Sequence, residues 1–443
     1  MSRTIPELAA DLAEGRTTSE ALVGECLARI ADPGGEGERA FLLVDEEGAR
    51  DAARAMDALR RAHAEPSPYA GIPVSIKDLF DVQGQVTRAG SRALDGAPAA
   101  RDAAAVARWR RAGLVLIGRT NMTEFAFSGL GINSHYGTPA NPWDRPGRRI
   151  PGGSTSGGVV SVTDGMAHGA LGTDTGGSCR IPAALCGITG WKPTQARVPA
   201  DGVVPLSPTL DTVGVLGRSV GCCAILDAIL AGGEPRNVEP LDRPPRLAVV
   251  RNYVLDDTDD AVAAAFDRAL RALESAGAEL VDLELPELDW IPDMNAGGGF
   301  AAAESFAWHA DLIAEKGELY DPLVLPRIRR GEQQSARDLI VLRERRAELI
   351  HAVTRRLDGF HAFICPTVPR VAPPLAELQD ADSYRATNML MLRNASVVNT
   401  IDGCAISVPM HEEGEPPTGL MISGLGGQDE AILRTAAWIE EAT

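Results

Sequence analysis

The chain opens with apolar residues at helical spacing. Leu22, Cys26 and Ile30 share one face of the segment Thr17 to Ile30, and Thr17 with Glu20 makes a capping-box pattern at its start, so the spacing predicts a helix there. The period then changes. FLLVD from Phe41 is a short apolar run of strand type, EEGARDAARAMDALRRA after it is amphipathic at helical spacing, and GIPVSIKD is a short buried strand preceded by turn residues. Lys77 stands at the C-terminal end of that strand. A helix around residues 103–112 follows, then the strand LVLIG from Leu114, the loop RTNMTEF and a region of glycine and serine. Beyond that region RLAVVRN, AELVDLEL, AFICPTVP, CAISVPM and TGLMISG read as strands, with a helix from Asp259 and further helices between them. Strands alternating with helices predict an α/β fold. Its sheet is expected to be large, mixed but mostly parallel, and covered by helices on both faces. No internal period of about 20–50 residues is present, which excludes a solenoid.

Composition narrows the class. The 443 residues, 44% of them hydrophobic, suffice for one large α/β unit or for two or three domains. A net charge of −18 argues against a nucleic-acid partner and against an anionic membrane surface. No apolar stretch of about 18 residues predicts a transmembrane helix, and MSRTIPELAADLAEG lacks the pattern of a secretory signal. The seven cysteines are scattered without a CxxC, as expected of buried reduced thiols in a cytoplasmic protein. The seven histidines show no HExxH or other ligand spacing, so no metal site is expected. Residues 286–332 have the least regular pattern, with NAGGGF, the aromatic pair Trp308 and His309, and LYDPLVLP. They read as a surface excursion or as a wall covering a pocket.

The candidate chemistry lies in two glycine-serine stretches, PGGSTSGGVV from Pro151 and LGTDTGGSCR from Leu171. Glycine lets the backbone approach a ligand closely. GGSTSGG does not match the phosphate-binding pattern GxxxxGK[ST]. In the second stretch Gly176 and Gly177 precede Ser178, and successive amides there suit an oxyanion beside a serine nucleophile. Such a serine needs a base. No GxSxG elbow or recognisable histidine triad is present, which leaves Lys77, in apolar surroundings that favour its neutral form. A Ser–Lys hydrolase and an ordinary strand-end lysine both fit these residues.

Taken together, GIPVSIKD, GRTNMTEFAF, NPWD, PGGSTSGG, GTDTGGSCRIPAALCGITGWKPT and SPTLDTVGVLGRSV resemble the amidase signature family in kind, order and spacing. The resemblance covers the chain as a single domain, residues 1–443, and is strongest over 71–220. It implies a Ser–cisSer–Lys triad with Lys77 as base, Ser154 as bridging serine after a cis peptide, and Ser178 as nucleophile. The inserted Thr155 leaves Ser156 as the other candidate for the bridge. The resemblance further implies an oxyanion hole made by the amides of Thr175, Gly176, Gly177 and Ser178, a substrate contact near Ala126, an acyl-enzyme, and no metal or cofactor. Asp174 and Arg180, which flank the nucleophile, read as a buried ion pair bracing the loop or as a site for a charged substrate, with the ion pair favoured. Trp143 and Trp191 are expected to pack. Arg393 and Asn394 are candidates either for a substrate carboxylate or for bracing a helix.

FSGLGINSHYGTP and LRNASVVNTIDGCAISVPM look closer to stand-alone bacterial amidases, including the carboxybiuret-hydrolase branch, than to the glutaminase component of an amidotransferase. The partner implied is a small amide or carbamate, with aryl esters as further substrates. A homodimer is compatible with the sequence.

Overall fold

A computed structural model describes residues 3–443. Met1 and Ser2 of the single-domain span lie outside the described residues. Eleven strands form one sheet: β1 (Phe41–Val44), β2 (Pro73–Lys77), β3 (Val115–Thr120), β4 (Ala170–Asp174), β5 (Thr189–Lys192), β6 (Thr212–Gly217), β7 (Arg246–Val250), β8 (Glu279–Leu283), β9 (Ala362–Pro366), β10 (Cys404–Pro409) and β11 (Gly419–Gly424). Their order is β1-β3-β2-β4-β6-β5-β10-β11-β9-β7-β8.

Both faces of the sheet are buried, and the alternation of side chains shows it. Leu247 and Val249 of β7, Ile364 of β9, and Leu420 and Ile422 of β11 enter one core. Their neighbours Ala248, Val250, Phe363, Cys365 and Met421 enter the other. The first core packs under the helices Ile5–Ala13, Ala104–Arg111, Val220–Ala231, Asp260–Ser275 and Asp429–Ala442. The second packs under Ala336–Arg356 and Ala381–Thr400. A third cluster fills the β1–β3 flank beneath the helices Ser19–Ile30, Glu46–Arg61 and Ser156–Thr163.

The large mixed α/β sheet is as expected from the sequence, but the predominance of parallel pairs holds only on its flanks. Parallel pairs join β3, β2 and β4 on one side and β9, β7 and β8 on the other. The middle of the sheet, from β4 through β6, β5, β10 and β11 to β9, is antiparallel, as is the edge pair β1–β3. Connection length accounts for part of this. A parallel neighbour needs a crossover of a dozen or more residues, and β2 to β3 and β7 to β8 have one, each with a helix. Residues 410–418 between β10 and β11 are too few for that.

Three strands carry no clear signal in the sequence: β4, β5 and β6. All lie in the glycine-rich region, and their glycines are sites of close approach. A Cβ on Gly172 would meet Thr155 Oγ1 at 2.9 Å and Cys179 Sγ at 3.1 Å. Close backbone approach at these glycines adds to the burial of Leu171, Trp191, Val213 and Val215, so hydrophobic alternation alone marks the strands poorly. The first predicted helix starts later than its capping-box pattern. Thr18 is the N-cap, accepting from Ala21 N, and Asp57 of the helix Glu46–Arg61 accepts from Ser19 N at 2.7 Å and Glu20 N at 3.0 Å.

Residues 286–332 are mostly helical, against the irregular reading. The longest element there is the helix Gly299–Lys316, which buries Phe300, Ala302, Ser305, His309 and Ile313. The glycines of NAGGGF lie at its start, where Gly298 has φ 109°. Among the described residues no helix is long and apolar enough to cross a membrane.

Candidate active site

Strands β2 and β4 run parallel, with Ser75 opposite Ala170 and Ile76 opposite Leu171. Their C-terminal ends therefore lie side by side. Lys77 ends β2, Thr173 and Asp174 end β4, and residues 175–179 turn from β4 into the short helix Arg180–Cys186. Crevices outside the carboxyl ends of strands are where α/β sheets commonly hold ligands.

Lys77 is completely buried. Its Nζ lies 2.8 Å from Ser154 Oγ, 3.0 Å from Thr173 Oγ1 and 3.5 Å from Thr173 O, all neutral groups. Burial pushes its pKa down to about 8, while the Cys179 thiol and the carboxylates of Asp174 and Asp211 oppose the shift. Ser154 follows a cis peptide bond from Gly153. Ser156 Oγ is buried without a hydrogen-bond partner, so Ser154, not Ser156, is the serine joined to Lys77. Ser178 is 3% exposed and lies beside this pair, its carbonyl accepting from Thr155 N at 3.4 Å. No hydrogen bond within the described residues joins its hydroxyl to Ser154. Thr173 is a ligand of Lys77 that the sequence did not single out, although it stands inside GTDTGG.

The loop after β4 is braced from below by Asp174 and Arg180. Both are fully buried, and Arg180 Nη2 lies 2.8 Å from Asp174 Oδ1. Burial alone would raise the Asp174 carboxyl, but the Arg180 guanidinium outweighs it and holds that carboxyl well below the usual carboxylate range. Arg180 also donates to Ala395 O and Asn399 Oδ1, at 2.9 and 2.8 Å. The expected structural ion pair is present, and it decides which amides are free. Asp174 accepts from Gly177 N at 2.9 Å and from Cys179 N at 3.1 Å. Gly177 therefore leaves the expected set of four donors, because the nearby carboxylate already takes its N–H. The amides of Thr175, Gly176 and Ser178 donate to no group of the described chain.

One wall is the stretch of residues 123–129. Thr123 N donates to Ser154 O at 3.1 Å, and Gly153 N donates to Gly129 O at 2.8 Å, so the stretch runs along the Ser154 loop. Phe125 and Ala126 both have positive φ, 49° and 60°. Two successive non-glycine residues there are uncommon and mark a backbone held against its preference. Above the nucleophile loop, a Cβ on Gly176 would touch Leu392 Cδ2 at 3.5 Å and Ser396 Cβ at 3.9 Å. The helix Ala381–Thr400 thus forms the opposite wall. Residues 286–332 pack on the first wall: Trp308, His309 and Tyr320 gather around Phe125, and Asp321 N donates to the buried Glu124 at 2.7 Å.

Arg393 and Asn394 brace the fold. Arg393 donates to Asn394 Oδ1 and Val254 O, and Asn394 donates to Val254 O and Pro366 O. Arg327 is different. Its guanidinium lies 4.8 Å over the ring of Phe127, its Nε is buried without a hydrogen-bond partner, and no ion pair engages it among the described residues. Burial lowers its pKa from the ordinary arginine value. No motif points to Arg327, which lies in the short helix Leu325–Arg329 and becomes visible only as an unpaired cation. Trp191 is fully buried, and Trp143 stacks under Arg149 at 4.5 Å, both in packing roles.

The profile of the family described as Amidase matches residues 21–433. The chain is 37% identical to 2-amino-5-chloromuconic acid deaminase of Comamonas testosteroni, over 99% of this chain and 95% of that protein. It is 33% identical to a glutamyl-tRNA(Gln) amidotransferase subunit of a Roseiflexus species, over 97% of this chain and 94% of that one. A crystal structure of an amidase superposes with a TM-score of 0.90 at 32% identity, covering 99% of both chains.

Proposed function

This chain belongs to the amidase family, the amidase signature hydrolases of carbon–nitrogen bonds, and from that premise we propose that it hydrolyses a small linear amide bearing a carboxylate, with Ser178 as nucleophile, Ser154 as bridge and Lys77 as base. The observation that carries this reading is the 2.8 Å contact between Ser154 Oγ and a buried lysine whose pKa lies near 8. In its neutral form Lys77 accepts the Ser154 proton while Ser154 accepts that of Ser178. Ser178 Oγ adds to the carbonyl carbon, and the oxyanion receives the amides of Thr175, Gly176 and Ser178. Ser154 then returns a proton to the departing amine as the C–N bond breaks, and water releases the acid by the same route. The Ser154–Ser178 hydrogen bond is one that substrate completes, since catalytic hydrogen bonds often tighten only in the bound complex. Carbamates and aryl esters present the same carbonyl to the same groups.

Arg327 supports a carboxylate on the substrate. Its Nε is buried without an acceptor, which is costly, and a ligand carboxylate would satisfy it. The relative that acts on an aminochloromuconic acid is consistent with such a ligand. Ala126, held at positive φ in the stretch that runs along the Ser154 loop, supports a main-chain contact to substrate. The test is amine release from p-nitroanilides and carbamates with and without a carboxylate on the acyl part. Ser178→Ala is expected to abolish turnover, and turnover equal to that of the parent would refute the mechanism. Arg327→Met is expected to raise KM for the acids by about 10–100-fold, the worth of a charged hydrogen bond, and to leave neutral amides unchanged.

A second reading, the glutaminase-type component of an amidotransferase or of a two-chain hydrolase, is favoured by the amidotransferase relative. It predicts glutamine hydrolysis that appears only when a partner chain is added.

A further inference from the structure

Of the amides left free in the nucleophile loop, that of Thr175 belongs to the first residue beyond β4, and its orientation must be held from outside the loop. Its side chain shows by what. Thr175 Oγ1 donates to Asp211 Oδ1 at 2.6 Å. The other oxygen, Asp211 Oδ2, accepts from Leu206 N at 2.9 Å and from Ser207 N at 3.0 Å. Asp211 thus closes its own loop and holds Thr175 at the same time. That loop is gripped in turn from the helix Gly299–Lys316. Glu304 Oε2 accepts from Ser207 Oγ at 2.6 Å and from Thr209 N at 3.0 Å, and its other oxygen accepts from Thr209 Oγ1. Neither carboxylate has an ion-pair partner among the described residues. Two unneutralised carboxylates near one another are unfavourable as a stabilising device, and hydrogen bonds to a charged acceptor are short and directional.

We propose that Asp211 is a positioning residue that fixes the Thr175 amide for the oxyanion, and that Glu304 extends this control to the helix Gly299–Lys316. The inference rests on the hydrolytic reading above, in which Thr175 N–H meets the oxyanion. Substrate that packs against that helix would then be sensed at the oxyanion site through residues 206–211. The charge of Asp211 also faces Lys77, together with Asp174 and the Cys179 thiol, and each favours the ammonium form. Removing that charge therefore makes the free amine available at lower pH.

The test needs no knowledge of the substrate. A fluorophosphonate phosphonylates Ser178, forming an Oγ–P bond and expelling fluoride while the serine proton passes towards Lys77. Its rate reports both the nucleophile and the oxyanion donors. Thr175→Val is expected to slow labelling by about 10²-fold, the worth of a misplaced oxyanion donor, with the acid limb of the pH profile unmoved. Thr175→Ser is expected to restore the rate. Asp211→Asn is expected to slow labelling and to shift the acid limb to lower pH. Glu304→Gln combined with Asp211→Asn is expected to cost less than the two separate losses together. Parental labelling by Thr175→Val, a Thr175→Ser variant no faster than Thr175→Val, or an unmoved acid limb in Asp211→Asn would each overturn the proposal. Should Asp211→Asn fail to fold, the Thr175 pair decides alone. Labelling that persists in Ser178→Ala would sink the hydrolytic reading itself. Loss of labelling in Ser178→Ala, with parental labelling in Thr175→Val, sinks only the role of Asp211.

Discussion

Lys77 differs from a surface lysine in its surroundings. Its pKa near 8 follows first from burial, and the carboxylates of Asp174 and Asp211 keep the shift from going further. In the proposed mechanism the neutral amine is the active form. kcat/KM should therefore rise with pH to a plateau above about 8 and fall about tenfold per pH unit below it. A pH–rate profile checks this, and an acid limb in the ordinary carboxylate range, about 4, would identify a different base. Lys77→Arg keeps the charge but cannot supply a neutral form, so it should lose about 10²–10⁴ in kcat. Much at this scale is legible in the sequence: a lysine at the end of an apolar strand and serines among glycines. The free hydrogen-bonding capacity of each group is not, because it depends on which distant residue reaches that group first. Gly177 and Arg393 look available in sequence and are engaged in the fold, by Asp174 and by Val254 O. Arg327 has no motif and is left without an ion pair among the described residues.

At the scale of elements, the helix Ala381–Thr400 acts as a splint for the nucleophile loop. Asn388 accepts from Ser128 Oγ and Gly129 N, the carbonyl of Ala395 accepts from Arg180, and Asn399 bonds both Asp174 and Arg180. All of these bonds join residues more than 200 positions apart in the chain, and amphipathic spacing alone does not reveal them. Arg180→Met would leave Asp174 buried without its cation. The expected loss is about 3–5 kcal/mol of stability, read as a lower urea midpoint with an unchanged slope. A midpoint within error of the parent would show that the pair is dispensable. The strands β4, β5 and β6 belong to the same scale. Their glycines admit Thr155, Cys179 and neighbouring backbone, so part of their packing is achieved at positions that carry no hydrophobic signal.

Across the whole molecule, residues 286–332 are attached to the signature region through few polar contacts, and Glu124 is the centre of one set. Its buried carboxylate accepts from Ser91 Oγ at 2.7 Å and from Asp321 N at 2.7 Å, and it lies 2.9 Å from His135 Nε2. Burial raises its pKa, and these bonds oppose the rise. Glu124→Ala removes the acceptor for all three, at about 1–3 kcal/mol for each donor left unpaired. Amide exchange should accelerate at residues 317–325 and stay unchanged in β7 and β9. Uniform acceleration would mean that residues 286–332 are not a separate unit of stability.

The sequence by itself determined the α/β class, the places of eight of the eleven strands, the motif set of the family and the residue types of the chemistry. These follow from short-range periodicity and from side-chain identity, which a linear string contains. Tertiary structure alone decided that Ser154 and not Ser156 meets Lys77, that Gly177 is lost as a free donor, that the middle of the sheet is antiparallel, and that residues 286–332 form helices against Phe125 and Glu124. The physical reason is common to all four. Each depends on competition for hydrogen bonds and buried space between segments far apart in the chain, and that competition has an outcome only once the segments are brought together.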